Sequence, residues 1–138
     1  MHSVHYTLVL VSAATLGTFP AHGDAQQLVK AMLLSSAIHL DASQVKQGPV
    51  TFDVHNAADN HMTHELVVLK TPLADDALPV RKGQVPEQKL NKVAEVEDIA
   101  PGKSRRVTIK LTPGHYVLVC NKPGHYSMGM HTSLTVGP

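Results

Sequence analysis

The stretch "HYVLVCNKPGHYSMGMHTSLTV", His115 to Val136, sets two alternating runs on either side of a Pro/Gly-bearing loop. Side chains of a strand point alternately to its two faces, so each run carries a phase. Tyr116, Leu118 and Cys120 share one side of the first run. Leu134 and Val136 mark the core side of the second, and Thr132 and Met130 share their phase. Both runs therefore aim a sulfur inward at the loop. The loop holds the chain's only cysteine, Cys120, followed by His125 and Met130 at equal intervals of five. Pro123 stiffens it and Gly124 permits a tight bend, so several side chains can be fixed around one point.

Working outward, the same short alternating runs recur, bounded by turn residues, while helical periodicity is poor. "VTFDVHN" (Val50 to Asn56) follows the turn "KQGP", and "HELVVLK" (His64 to Lys70) is a further strand. In "RRVTIKL", Val107, Ile109 and Leu111 lie on one face and Arg106, Thr108 and Lys110 on the other. Pro101-Gly102 and Pro113-Gly114 are turn signals before strands. "AMLLSSAIHL" reads as one more strand, its first half open to a short helix continuing from Gln26. Residues 71–91, with three prolines and mixed charge, read as a long connection crossing between sheets, with one short helical turn. Many short strands with Gly/Pro turns predict an all-β sandwich.

Residues 1–25 do not read as part of this fold. An apolar run from Tyr6 to Leu16, then small residues around Ala21 to Ala25, has the shape of a secretory signal peptide with cleavage after Gly23 or Ala25. The n-region carries His2 and His5 but no Lys or Arg, and an uncleaved anchor is the alternative; membrane contact is expected only in that case. Residues 26–138 are then one domain of about 113 residues. Export implies an oxidising compartment, periplasmic or otherwise extracytoplasmic, in which an unpaired thiol is a liability unless buried or bonded. A net charge of +1 with mixed signs argues against nucleic acid as a partner.

Cysteine, histidine and methionine are soft or borderline ligands that favour copper over calcium or magnesium. Two histidines and a cysteine with a weak axial methionine make a blue-copper site, so the test is a second histidine. His64 has the phase of Leu66 and Val68, and a strand-end imidazole aimed between sheets can meet Cys120 above the core. Taken singly, a lone cysteine or methionine is more often core filler. Structural zinc generally needs four Cys/His ligands, and a Cys-His nucleophile pair would need an orienting group and a cleft that nothing in the sequence marks.

These residues resemble the cupredoxins. "CNKPGH" is similar to the azurin-type Cys-x-x-Pro-Gly-His loop, "HYSMGM" to the His-x-x-x-Gly-Met ending of plastocyanins and sulfocyanin-like proteins, and "HELVVLK" to the strand bearing the first ligand histidine. The resemblance runs from about Ile38 to Val136. It implies a Greek-key β-sandwich, one type 1 copper ion cycling between Cu(I) and Cu(II), and the ligands His64, Cys120, His125 and Met130. Thr63 stands where azurin has a glycine, so no fifth, carbonyl ligand is expected. Glu65 stands where the family carries a bracing asparagine, and Asn121 is the expected substitute brace.

The expected function is single-electron transfer outside the cytoplasm by a monomer that is not an enzyme. Its partners would be redox proteins such as cytochromes or a terminal oxidase, docking at the His125 loop over Pro123, Tyr126 and Met128. The rival is a copper carrier, storage or resistance protein, whose signs would be Met- or His-rich tracts and open coordination; five methionines make no tract. His61 and His131 are expected at the surface. Lys103, Arg105 and Arg106 could dock an acidic partner, though such a run is more often a solvated strand edge.

Overall fold

The computed structural model describes residues 25–138, which form a Greek-key β-sandwich. Residues 1–24 of the expected signal segment lie outside the described residues. No described helix is long and apolar enough to cross a membrane. One sheet has the order β2 (Ile38–Leu40), β1 (Gln27–Leu33), β4 (Gly48–Asn56) and β7 (Ser104–Leu111). The other has the order β3 (Gln44–Lys46), β9 (His131–Gly137), β8 (Gly114–Val119), β5 (His64–Lys70) and β6 (Lys92–Ile99). β1 runs parallel to β4 and β3 parallel to β9; the remaining pairs are antiparallel.

The strand phases expected from sequence set the core. Val29, Ala31, Leu33, Val50, Phe52 and Val54 face Leu66, Val68, Tyr116, Leu118, Leu134 and Val136 across the sandwich, and Cys120 and Met130 extend that same cluster at one end. The stretch Ala31–Leu40 is two strands rather than one, because the polar pair Ser35-Ser36 turns the chain back on itself, and no helix follows Gln26.

The reading of residues 71–91 as a crossover between sheets is wrong. The segment joins β5 to β6, which are antiparallel neighbours in one sheet. It includes the expected helical turn, a 3-10 turn at Glu87–Lys89. It folds over the outer face of that sheet, where Leu78 and Val85 pack with Tyr126 on Val67, Leu69, Val117 and Val119. This cover explains why "HELVVLK" is apolar on both faces: His64 through Leu69 are all buried.

Two strands escaped the sequence reading. β3 is only three residues long. β6 hides its phase because Leu66 pairs with Val96 while His64 pairs with Ile99, so two residues of β6, Glu97 and Asp98, oppose the single residue Glu65 of β5. Asp98, at φ 49°, absorbs the extra residue of this β-bulge. The bulge lies beside His64, whose own partner is Ile99.

Candidate metal centre

The Cys120–Met130 loop is closed by its own backbone. The Cys120 N–H donates to the Met130 carbonyl (3.0 Å), and the Met130 N–H donates to the His125 carbonyl (3.2 Å). Gly124 (φ 83°) and Gly129 (φ 109°) take left-handed conformations, with a 3-10 turn at Tyr126–Met128 between them. Left-handed backbone costs a residue with a Cβ about 1–2 kcal/mol. At Gly129 a Cβ would also lie 2.6 Å from the Ser36 carbonyl oxygen in the β1–β2 turn, whereas at Gly124 nothing stands within 4 Å. Gly129→Ala should therefore destabilise the metal-free protein by roughly 2 kcal/mol or more, and Gly124→Ala by about 1. Urea unfolding midpoints measured side by side check this; equal losses would discount the Ser36 contact.

Three donor atoms from two distant segments meet above the core. His64 Nδ1 lies 3.1 Å from His125 Nδ1 and 3.7 Å from Cys120 Sγ, and His125 Nδ1 lies 3.4 Å from the same sulfur. A point equidistant from the corners of that triangle is about 2 Å from each, the length of a transition-metal bond to imidazole or thiolate. His64 and Cys120 are wholly buried, while the His125 ring is half-buried. Met130 is 0 % exposed at this end of the core, whereas Met128 is 48 % exposed. His61 is exposed, on a left-handed residue before β5.

The protonation states suit a cation. Burial, then the neighbouring His125, lowers the His64 pKa to about 4, and burial also lowers that of His125. Both imidazoles are thus neutral near pH 7 and offer lone pairs. Burial raises the Cys120 thiol, opposed by backbone N–H groups of Glu65 and Lys122. Of these, the Glu65 N–H reaches the sulfur at 3.5 Å. Such a thiol surrenders its proton to a metal rather than to water. His64 Nε2 is buried with no hydrogen-bond partner among the described residues. Nothing therefore forces the lone pair away from Nδ1. With both Nδ1 atoms and a thiolate converging, a soft cation is the occupant that satisfies all three.

Asn121 does brace the loop, but against the 71–91 cover. Its side chain accepts from the Val85 N–H (2.7 Å) and donates to the Val85 carbonyl (2.9 Å) and Glu87 (2.6 Å). Glu65 is buried, which raises its pKa, and it faces Lys122 at 3.6 Å; Lys122 in turn pairs with Asp98 at 2.7 Å.

Two expectations about neighbours are corrected. Tyr126 is not part of an exposed patch: it is 6 % exposed, and its hydroxyl donates to the Asp75 carbonyl and accepts from the Leu78 N–H. His131 is not simply solvated. Its Nδ1 lies 2.6 Å from the Asp75 carboxylate, which Ser133 also contacts, and its ring rests on Tyr126. Sequence reasoning missed Asp75, since nothing in "LADDAL" marks one aspartate as the anchor of a loop segment far along the chain. Of the basic cluster, Arg105 and Arg106 lie on β7, an edge strand, where Arg106 pairs with Asp53, and Lys103 just precedes it.

A family model described as copper binding proteins, plastocyanin/azurin family, matches residues 36–137. Among solved structures, a reduced auracyanin from the photosynthetic bacterium Roseiflexus castenholzii is 26 % identical, with 81 % of this chain and 98 % of that one covered at TM-score 0.56. Auracyanin A, a "blue" copper protein from Chloroflexus aurantiacus, is 22 % identical over 81 % and 99 % of the two chains at TM-score 0.55. Rusticyanin from Thiobacillus ferrooxidans is 20 % identical over 80 % and 77 % at TM-score 0.59; at such identities the likeness speaks to fold alone. No curated protein sequence matches the chain significantly. With its buried Cys-His-His convergence and a family match over nearly the whole sandwich, the chain is a cupredoxin, a member of the plastocyanin/azurin family of copper-binding proteins.

Proposed function

We propose that residues 26–138 form an extracytoplasmic electron carrier, released from a signal peptide at residues 1–25, in which His64, Cys120, His125 and Met130 hold one type 1 copper ion. The observation that carries the reading is the meeting of His64 Nδ1, Cys120 Sγ and His125 Nδ1 within 3.1–3.7 Å of one another in a buried pocket. Copper, when bound, supplies the single electron by alternating between Cu(I) and Cu(II). The protein's part is to keep its donors still. β5 and β8 pair directly, so His64 and Cys120 are fixed at neighbouring strand ends. The loop is held by its closing hydrogen bonds and by Asn121. Little rearrangement then accompanies electron gain or loss, and the Glu65 N–H to sulfur contact, with the apolar shell, tunes the potential.

The half-buried His125 ring is the exit toward a partner. Around it Pro123 and Met128 are exposed, and Val80 (42 % exposed) leads into the Arg81–Gln84 turn, whose Gly83 carbonyl accepts from the Gly124 N–H. A patch of this size suits a redox partner protein, because electron-transfer encounters use small interfaces. The protein acts on this reading as a carrier rather than an enzyme. Visible absorption of the Cu(II)-loaded protein tests it: an intense thiolate-to-copper band that a mild reductant bleaches is expected. A colourless Cu(II) complex with an ordinary tetragonal EPR spectrum would overturn it.

A further inference from the structure

The outer face of the four-stranded sheet carries a second group of soft donors that the sequence disperses. Met32 on β1 is in register with His39 on β2 on one side and with His55 on β4 on the other. Neighbouring strands lie about 4.8 Å apart, so a thioether sits between two imidazoles in one row across three strands. Burial alternates along β1, with Val29, Ala31 and Leu33 inside and Lys30 and Met32 outside; His39 is exposed and His55 half-buried on the same face. All three residues line one cavity of about 340 Å³.

Two further observations mark this row as more than surface variety. His55 Nδ1 is engaged by Ser104 Oγ at 2.8 Å, which orients the ring and leaves Nε2 for a ligand, as outer partners do for metal-bound histidines. The adjacent row balances two cations against two carboxylates: Lys30 is in register with Asp53, Asp53 pairs with Arg106 at 2.8 Å, and the Asp41 carboxylate accepts from the Lys30 backbone N–H at 2.8 Å. Met32, 39 % exposed, keeps part of its side chain open to solvent on this face.

We propose that Met32, His39 and His55 form a second, solvent-open binding site for monovalent copper. A thioether with two imidazoles and no thiolate selects Cu(I) over the harder divalent cations. Three donors fall short of the four that zinc generally takes in a closed site. The site lies at the same end of the sandwich as the buried centre. Asn56, next to His55, donates to the carbonyl of Ile99, the residue paired with His64. The turn joining Met32 to His39 also closes on Gly129 of the ligand loop. Copper held there would be exchangeable, beside a centre that holds its own tightly.

The test is anaerobic titration of the full chain with Cu(I) against a chromogenic Cu(I) chelator, with Zn(II) as the control metal. Two equivalents are expected for the wild type. One is lost in Cys120→Ser together with the blue colour of the oxidised protein. The other is lost in Met32→Leu and in the double variant His39→Gln/His55→Gln, with the blue colour kept as proof of folding. A single, Cys120-dependent equivalent would overturn the second site and leave the buried centre standing. So would a second equivalent that survives Met32→Leu, or a preference of these residues for Zn(II).

Discussion

Cys120→Ser should remove the intense visible band of the copper-loaded protein completely. The sulfur is the only thiolate the chain can supply, it is wholly buried, and its substitute is a hard hydroxyl that does not ionise near neutral pH. The variant should still fold, since serine is nearly isosteric and the Glu65 N–H that approaches the sulfur at 3.5 Å keeps an acceptor. Copper affinity falls with the colour, as two imidazoles remain. His64→Ala should also disrupt the site, whereas the exposed His61→Ala should leave the spectrum unchanged. Absorption and EPR spectra of the three variants, recorded at equal copper loading, check the set. A normal spectrum from His64→Ala with a disturbed one from His61→Ala would show that strand phase picked the wrong histidine.

Met130→Leu should leave the protein coloured and raise its reduction potential. The side chain is 0 % exposed and sits against the closed base of the loop, where its backbone bonds both Cys120 and His125. A weak axial thioether favours Cu(II), and an apolar replacement of similar volume removes that preference while filling the space. A tenfold change in the ratio of Cu(II) to Cu(I) affinity corresponds to about 59 mV for one electron, and a rise of that order is expected. Met128→Leu, at a position 48 % exposed, should leave the potential where it is. Voltammetry of both variants decides the matter; a shift confined to Met128→Leu would reverse the assignment.

What the sequence made legible was whatever is local and periodic. The phases of Cys120, Met130 and His64 follow from alternation within single strands, and the structure puts all three in the expected core cluster or beside it. The dispersed features were hidden for physical reasons. β6 lost its alternation to a bulge at Asp98, which only pairing with β5 reveals. The cover formed by residues 71–91 buries Leu78 and Val85, two residues with no shared period, so its packing on the sheet left no pattern to read. The burial of Tyr126 is hidden for the same reason, because the cover that buries it comes from 51 residues earlier. The Asp75–His131 pair, 56 residues apart, shows how little a sequence says about polar contacts between loops.

The spacing of the donors also bears on the order in which the protein assembles. Cys120 and His125 are five residues apart, whereas His64 is 56 residues from Cys120. By the logarithmic growth of loop-closure entropy, bringing His64 in costs the unfolded chain about 2 kcal/mol more than joining the two loop donors. Copper stabilises the fold only by what the complete site binds beyond the unfolded chain, and the addition of His64 to the two loop donors is a large part of that difference. His64 arrives only when β5 docks on β8. The appearance of the final colour during refolding would then time one long-range strand pairing, that of β5 with β8, with the metal serving as its built-in clock.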